Sequence, residues 1–408
     1  MVRFAHLADT HLGYRQYGLE ERELDFYNTF QRIIDDIINE DVDFVIHSGD
    51  LFETNRPSNK AHFEFQKALS KLNEANIPIY ATSGNHDMSL KKGSMPPQVL
   101  YKNQGLNLLT PNFPNYIFDD NVYIGGIEYA PVSYKKGLSG LLEKQSEASK
   151  DYDTRIIVLH QGIDKYMPFN FELEIGLIPE NFHYYAMGHL HNYINEDYGC
   201  GKIVYPGSTE IWKTSEIPDY RKNKKGYVIT TIKNGKVETE RKEVKISRNF
   251  INVNIEHKDL LIELQELKNS VRNFEVKPIV DVNVQGEKFN TQDAFDAVHK
   301  YLDEFCLQVR PSFALTETKE KIVNENIDSL NPKGFLKDYI KDSKFKGADN
   351  FITDLYDELK VKNMENASTL SDNFFAESFG QPLSQPEKQT ETEKPVKKTE
   401  KSNLLDWS

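Results

Sequence analysis

Five short polar clusters occur along this chain, each closing an apolar, β-rich run. Asp9-Thr10-His11 follows Arg3-Phe4-Ala5-His6-Leu7-Ala8, Gly49-Asp50 follows Phe44-Val45-Ile46-His47, and Gly84-Asn85-His86-Asp87 follows Ile79-Tyr80-Ala81-Thr82. His160 ends Ile156-Ile157-Val158-Leu159, and Gly188-His189-Leu190-His191 follows Tyr184-Tyr185-Ala186-Met187. Open α/β sheets place their chemistry beyond the carboxyl ends of buried strands. The clusters supply oxygen or nitrogen donors on Asp9, His11, Asp50, Asn85, His160, His189 and His191, a set suited to a pair of divalent metals. His86 is left over for proton work.

Each cluster alone is weak. Gly-Asp is common in loops, an Asp after a strand often caps the next helix, and a lone buried histidine is usually just hydrogen-bonded. Gly-Asn-His-Asp is stronger, and Gly-His-Leu-His sets two imidazoles on one side of an extended chain. The ordered set is what carries the signal. A mixed His, Asp and Asn shell argues against calcium or magnesium alone, which prefer all-oxygen surroundings. The lack of thiolates argues against a structural zinc site. Manganese, iron, cobalt and zinc remain open. Asp50 is the candidate bridging carboxylate, because it ends the second strand. A pair of cations about 3.5–4 Å apart would activate water and neutralise phosphate oxygens. A protein group must then protonate the departing oxygen, and His86 is assigned to phosphate contact and that proton. Asp87 has two readings: fixing the His86 tautomer, or a helix cap.

On these clusters the chain resembles the calcineurin-like metallophosphoesterases. Phe4 through Gly13, His47-Ser48-Gly49-Asp50-Leu51-Phe52, Arg56-Pro57 and Tyr205-Pro206-Gly207-Ser208 narrow the likeness to the archaeal double-strand-break repair nucleases of the Mre/SbcD type. The resemblance implies a first metal on Asp9, His11, Asp50 and His191, and a second on Asp50, Asn85, His160 and His189. It further implies two Mn2+ per subunit, single-strand endonuclease and 3′-to-5′ exonuclease activity on DNA, a homodimer, and a coiled-coil ABC-type ATPase partner. One departure stands out. Where some members carry a histidine after Asp-Leu-Phe, this chain has Glu53.

Alternating helices and strands followed by a strand-rich stretch point to an α/β sandwich of sheets flanked by helices. The family's version is a four-layer metallophosphoesterase sandwich, with a smaller α/β capping domain and C-terminal helices. The expected divisions are a catalytic domain over 1–245, a DNA-binding cap over 246–320, a helical partner-binding segment over 333–363, and a disordered polar tail over 366–408. Within the first, helices are expected over Glu20–Asn39 and Ser58–Glu74, and a hairpin at Asn234-Gly235. The second of those helices is a candidate dimer contact. In the cap the pattern is strand, helix, strand, helix, strand, with Asn290 or Thr291 as a helix cap. The tail ends in Leu404-Leu405-Asp406-Trp407, a candidate docking motif.

Composition constrains the rest. At 408 residues more than one folded unit is expected. Cys200 and Cys306 belong to no metal-spacing motif and imply a reduced compartment. The first strand begins almost at the amino terminus and no apolar run approaches membrane-spanning length, so a cytoplasmic protein is expected. A net charge of −13 lends DNA binding no support. Local basic clusters at Lys91-Lys92, Lys135-Lys136 and Arg221–Lys225 offer a track for a phosphate backbone, or are simply solvated surface. No Walker A pattern occurs, so an ATP switch would have to lie on another subunit. The competing functions are a phosphodiesterase or phosphatase acting on small or protein phosphoesters, and a non-catalytic scaffold tethering DNA ends.

Overall fold

A computed structural model describes residues 1–89, 94–315, 349–360 and 364–379. The chain falls into two compact units, Met1–Glu317 and Thr318–Ser408.

Two six-stranded mixed sheets form the centre of the first unit. One takes β1 (Val2–Leu7), β2 (Phe44–Ser48), β3 (Ile79–Thr82) and β4 (Leu106–Leu108) in parallel order. β11 (Lys225–Lys233) pairs antiparallel to β1, and β12 (Lys236–Val244) to β11 through the expected turn at Asn234-Gly235. The other sheet takes β6 (Val122–Ile127), β7 (Thr154–His160), β8 (Tyr184–Gly188) and β10 (Gly201–Tyr205) in parallel, flanked by antiparallel β5 (Asn115–Phe118) and β9 (Ile194–Tyr198).

The apolar runs are continuous because both faces of these strands are covered. Successive side chains alternate between the faces. Phe4, Phe44, Ile46, Tyr80, Ile156, Val158, Tyr184 and Ala186 pack between the sheets. Ala5, Leu7, Val45, Ile79 and Ala81 face α1 (Glu20–Ile38) and α2 (Asn59–Glu74), which contribute Phe30, Ile33, Ile34, Phe65, Leu69 and Leu72. On the far side Ile157, Leu159, Tyr185 and Met187 pack on Leu138 and Leu142 of α3 (Lys135–Ala148). The result is the helix–sheet–sheet–helix order expected. Ser58 caps α2, its Oγ accepting from Ala61 N at 3.1 Å.

A parallel three-stranded sheet follows, β13 (Phe250–Glu256), β14 (Ile279–Gly286) and β15 (Gln308–Leu315), covered by α4 (Leu260–Val271) and α5 (Thr291–Leu302). Asn290 caps α5 through Gln292 N. This sheet is pinned to the rest of the unit by charge. Arg248 donates to both carboxylate oxygens of Asp25, at 2.8 and 3.3 Å, and to Lys277 O. Arg22, fully buried, shares Asp25 and lies over the Phe250 ring. Arg310 of β15 donates to the Tyr17 hydroxyl at 2.8 Å.

In the second unit, helices Asp349–Lys360 and Met364–Phe379 are described, with Phe351 stacked on Phe374 at 4.1 Å. This corrects the polar tail expected from residue 366. Ala367, Leu370 and Phe374 recur at helical spacing, and the polar composition takes over only from about Pro382. The first helical pattern of the 333–363 segment, Phe335–Ile340, and the Leu404–Trp407 cluster lie outside the described residues. Among the described residues no helix is long and apolar enough to cross a membrane.

Candidate metal centre

All seven donor residues stand at the carboxyl ends of the two central sheets. Asp9, His11, Asp50 and Asn85 follow β1, β2 and β3 of one sheet; His160, His189 and His191 end or follow β7 and β8 of the other. The loops are laced together: Asp9 N donates to Gly49 O and His11 N to Asp50 O, each at 3.1 Å. The His160 ring crosses between the sheets and donates from Nδ1 to Ser48 O at 2.8 Å. Gly188 lets the sheets meet here, since a Cβ would fall 2.0 Å from Ser48 O. Asp9, His11, Asp50 and His189 all have φ between 46° and 91°. Non-glycine residues rarely adopt that region, and held strain of this kind clusters at functional sites.

The donor atoms converge. Asp9, His11 and His191 form one group within 4.8 Å, and Asp9, Asp50 and His160 another. Asp50 Oδ2 lies 3.2 Å from His160 Nε2 and 4.0 Å from His11 Nε2, between the two groups. Asn85 Oδ1 is 3.1 Å from His160 Nε2 and 2.9 Å from His189 Nδ1.

His11 Nδ1 stands 2.9 Å from Glu53 Oε2, and His191 Nδ1 2.8 Å from Glu216 Oε1. The His191 ring therefore carries its hydrogen on Nδ1 and turns a bare Nε2 to His11 Nε2 at 3.1 Å, whereas His11 Nδ1, though close to Glu53, is buried without a hydrogen bond. His160, donating from Nδ1, likewise turns a bare Nε2 toward the Asp50 and Asn85 oxygens. Asp9 Oδ2 is buried without a hydrogen-bond partner. Such a collection of facing acceptors needs positive charge, and divalent cations supply it. Without them a proton does: burial lowers the His160 imidazole, yet Asp50 beside it outweighs burial and raises it to about 9.

Asp87 does not contact His86. Its buried carboxylate accepts from Leu51 N, Phe52 N and Gly84 N at 3.2, 2.9 and 2.9 Å, tying the loop after β2 to the loop after β3. The tautomer role is thereby corrected, because both oxygens are occupied by backbone amides, and these lie in no helix. His86 is part-exposed at the cleft; its Nδ1 meets the Glu53 carbonyl at 2.9 Å and its backbone N–H donates to Asp50 Oδ1.

The chain is similar in sequence to several named proteins along almost their whole length. The calcineurin-like phosphoesterase family model matches residues 2–193. The DNA double-strand break repair protein Mre11 of Methanococcus maripaludis is 33% identical over 395 residues, covering 93% of this chain and 100% of that protein. The chain belongs to the Mre11 family. The Mre11 of Methanocaldococcus jannaschii is also 33% identical, over 93% of this chain and 100% of its own. That of Thermoplasma acidophilum is 34% identical, over 83% and 90%. Membership makes this a metal-dependent nuclease that hydrolyses phosphodiesters.

This Mre11-family site also contains groups that no motif announced. Trp212 lies among His11, His86 and His191, with ring centroids 5.4–5.8 Å away, and stacks on Tyr14. Its Nε1–H donates to Glu53 Oε2 at 3.0 Å. Glu216, 25 residues beyond His191 in sequence, bonds that ring and pairs with Lys225 at 2.6 Å. Burial resists its ionisation, but Lys225 and His191 hold the carboxyl well below the usual range. Only Glu53 had a sequence signal, as a departure from the family pattern. Lys225 corrects the basic track: it is buried and bonded to Glu216 and Ser208, whereas Arg221 and Lys222 are exposed. Lys135 is paired with Glu174. Lys91-Lys92 lie outside the described residues.

Proposed function

We propose that this chain is a manganese-dependent nuclease that processes DNA double-strand breaks, cutting single strands internally and degrading 3′ ends. The relatives carry double-strand break repair in their names. The observation that carries the reading is the convergence of seven donors from two sheets, with His160 and His191 each committed at Nδ1 and turning a bare Nε2 to other donors of the set.

Asp9, His11, Asp50 and His191 would hold one Mn2+, and Asp50, Asn85, His160 and His189 the second. When bound, the pair supplies a water acidified for attack and charge to stabilise the phosphate oxygens. The chain's own groups do the rest. His86 presents Nε2 to substrate, since its Nδ1 is committed to Glu53 O, and protonates the departing sugar oxygen. Trp212 offers an aromatic face beside the metal ligands, and base stacking on such a ring is tolerant of sequence. Residues 1–245 form the catalytic domain and 246–320 a cap that borders access to it. The segment over 333–363, of which helix Asp349–Lys360 is described, grips the coiled-coil root of an ABC-type ATPase. Two copies pair through α2, on which Phe63 is 62% exposed. The protein works in the cytoplasm.

Cleavage of 3′-labelled and 5′-labelled duplex DNA with Mn2+ or Mg2+ tests the reading, run on the wild type and His86→Ala. The wild type is expected to cut with Mn2+. The variant should bind the ion but cut 10²–10⁴-fold more slowly, roughly the contribution of one general acid. If neither cuts DNA while a small phosphodiester is hydrolysed, the repair role is wrong.

A further inference from the structure

We propose that the two metal positions are unequal, and that Glu53 is a positioning residue that makes the Asp9–His11–His191 position the tighter one. The inference rests on the two-metal reading above and concerns what stands behind each ligand.

At the Asp9–His11–His191 position, both imidazoles have a carboxylate beside Nδ1: Glu216 accepts from His191 at 2.8 Å, and Glu53 lies 2.9 Å from His11 as a charge contact without hydrogen-bond geometry. A carboxylate beside an imidazole strengthens it as a donor to a cation, and where it accepts the Nδ1 proton, as Glu216 does, it also fixes the tautomer. At the second position the backing is neutral. His160 donates to the Ser48 carbonyl. The outer nitrogen of His189, Nε2, has Glu172 Oε1 at 3.9 Å, beyond hydrogen-bond reach. Glu172 is committed elsewhere, accepting from Gly162 N at 2.8 Å and from the Tyr129 hydroxyl at 3.3 Å. The direct ligands lean the same way. Beyond the shared Asp50, the first position has the carboxylate of Asp9 and the second only the amide of Asn85.

The two backing carboxylates differ from each other. Glu216 is neutralised by Lys225 and packed among Ser208 and Trp212 N, so its charge is largely balanced. Glu53 is not balanced in this way. Among the described residues its charged contacts are His11 and His86, and its other donor is the neutral indole of Trp212. That indole is held in turn by its stack on Tyr14 at 5.3 Å. Glu53 thus places a carboxylate, aimed by Trp212, behind a ligand of one position and not the other. A histidine here would bring no negative charge.

Mn2+ titration of the full chain at one fixed pH, followed by calorimetry and by the EPR signal of free ion, tests this. The wild type is expected to take up two ions in separable steps. Asn85→Ala, which removes a ligand of the second position alone, should keep the tight step and lose the weak one. Glu53→Gln keeps the shape and removes the charge; it should weaken the tight step by about 10–100-fold and leave the weak step in place. Trp212→Phe, which frees the carboxylate but keeps a ring, should move the same step less. Melting of each metal-free variant checks that the fold is intact. The inference is overturned if Asn85→Ala abolishes the tight step, or if Glu53→Gln shifts both steps alike or neither. Uptake of no Mn2+, or of one ion only, would instead overturn the two-metal reading of the proposed function.

Discussion

Asp87 shows how a residue in a catalytic motif can act on the backbone. Burial, and then Asp50, push its carboxyl up to about 6, against the pull of three amides. Replacing it by Ala leaves the buried N–H groups of Leu51, Phe52 and Gly84 unmatched, at on the order of 3 kcal/mol in all. Urea unfolding in the presence of a chelator is expected to show that loss for Asp87→Ala and almost none for His86→Ala. Cys306 makes a second prediction at this scale. Burial, with Asp303 nearby, pushes its thiol up to about 11. A thiol reacts as its thiolate, which appears only as pH rises toward that value. Iodoacetamide at pH 8 should therefore label exposed Cys200 and spare Cys306 until the protein unfolds, as peptide mass mapping would show.

Elements in this chain follow from local rules nearly everywhere. Pro57-Ser58 marked the start of α2, and the Ser58 side chain takes the Ala61 N–H as a cap should. Ser58→Ala is expected to cost about 1 kcal/mol, seen as a lower denaturant midpoint with unchanged slope. Asn234-Gly235 turned the β11–β12 hairpin, with both residues at positive φ. The miss was at the end of the chain. Residues from 366 looked polar because Ser, Asn and Glu separate the apolar positions, yet Ala367, Leu370 and Phe374 lie on one helical face and Phe374 stacks on Phe351. A sparse stripe is hard to see in composition, because composition ignores spacing.

In the first unit as a whole, buried charge ties the three-stranded sheet to α1. Arg248 sits 7% exposed at the join, where it holds Asp25 and the Lys277 carbonyl. Arg248→Met breaks this buried pair and is expected to cost about 3 kcal/mol. The readouts are a lower melting temperature and faster proteolysis near residues 245–249, with Mn2+ uptake unchanged. The −13 charge belongs to this scale too. It said little about the site, because charge sums ignore position: Lys225 is counted as basic surface yet lies buried against Glu216.

What the sequence by itself determined was the sandwich and the donor set. Apolar strands ending in Asp, Asn and His declare themselves, because a buried strand must be continuous in sequence and its ligands must follow at its end. The tertiary structure decided what surrounds those donors. Glu53, Trp212 and Glu216 meet the histidines of the site only through folding, across separations such as the 159 residues between Glu53 and Trp212. It also decided that Asp87 serves backbone amides instead of His86. Hydrogen-bond partners are chosen by distance and direction in space, and neither is encoded in the spacing of residues along a chain.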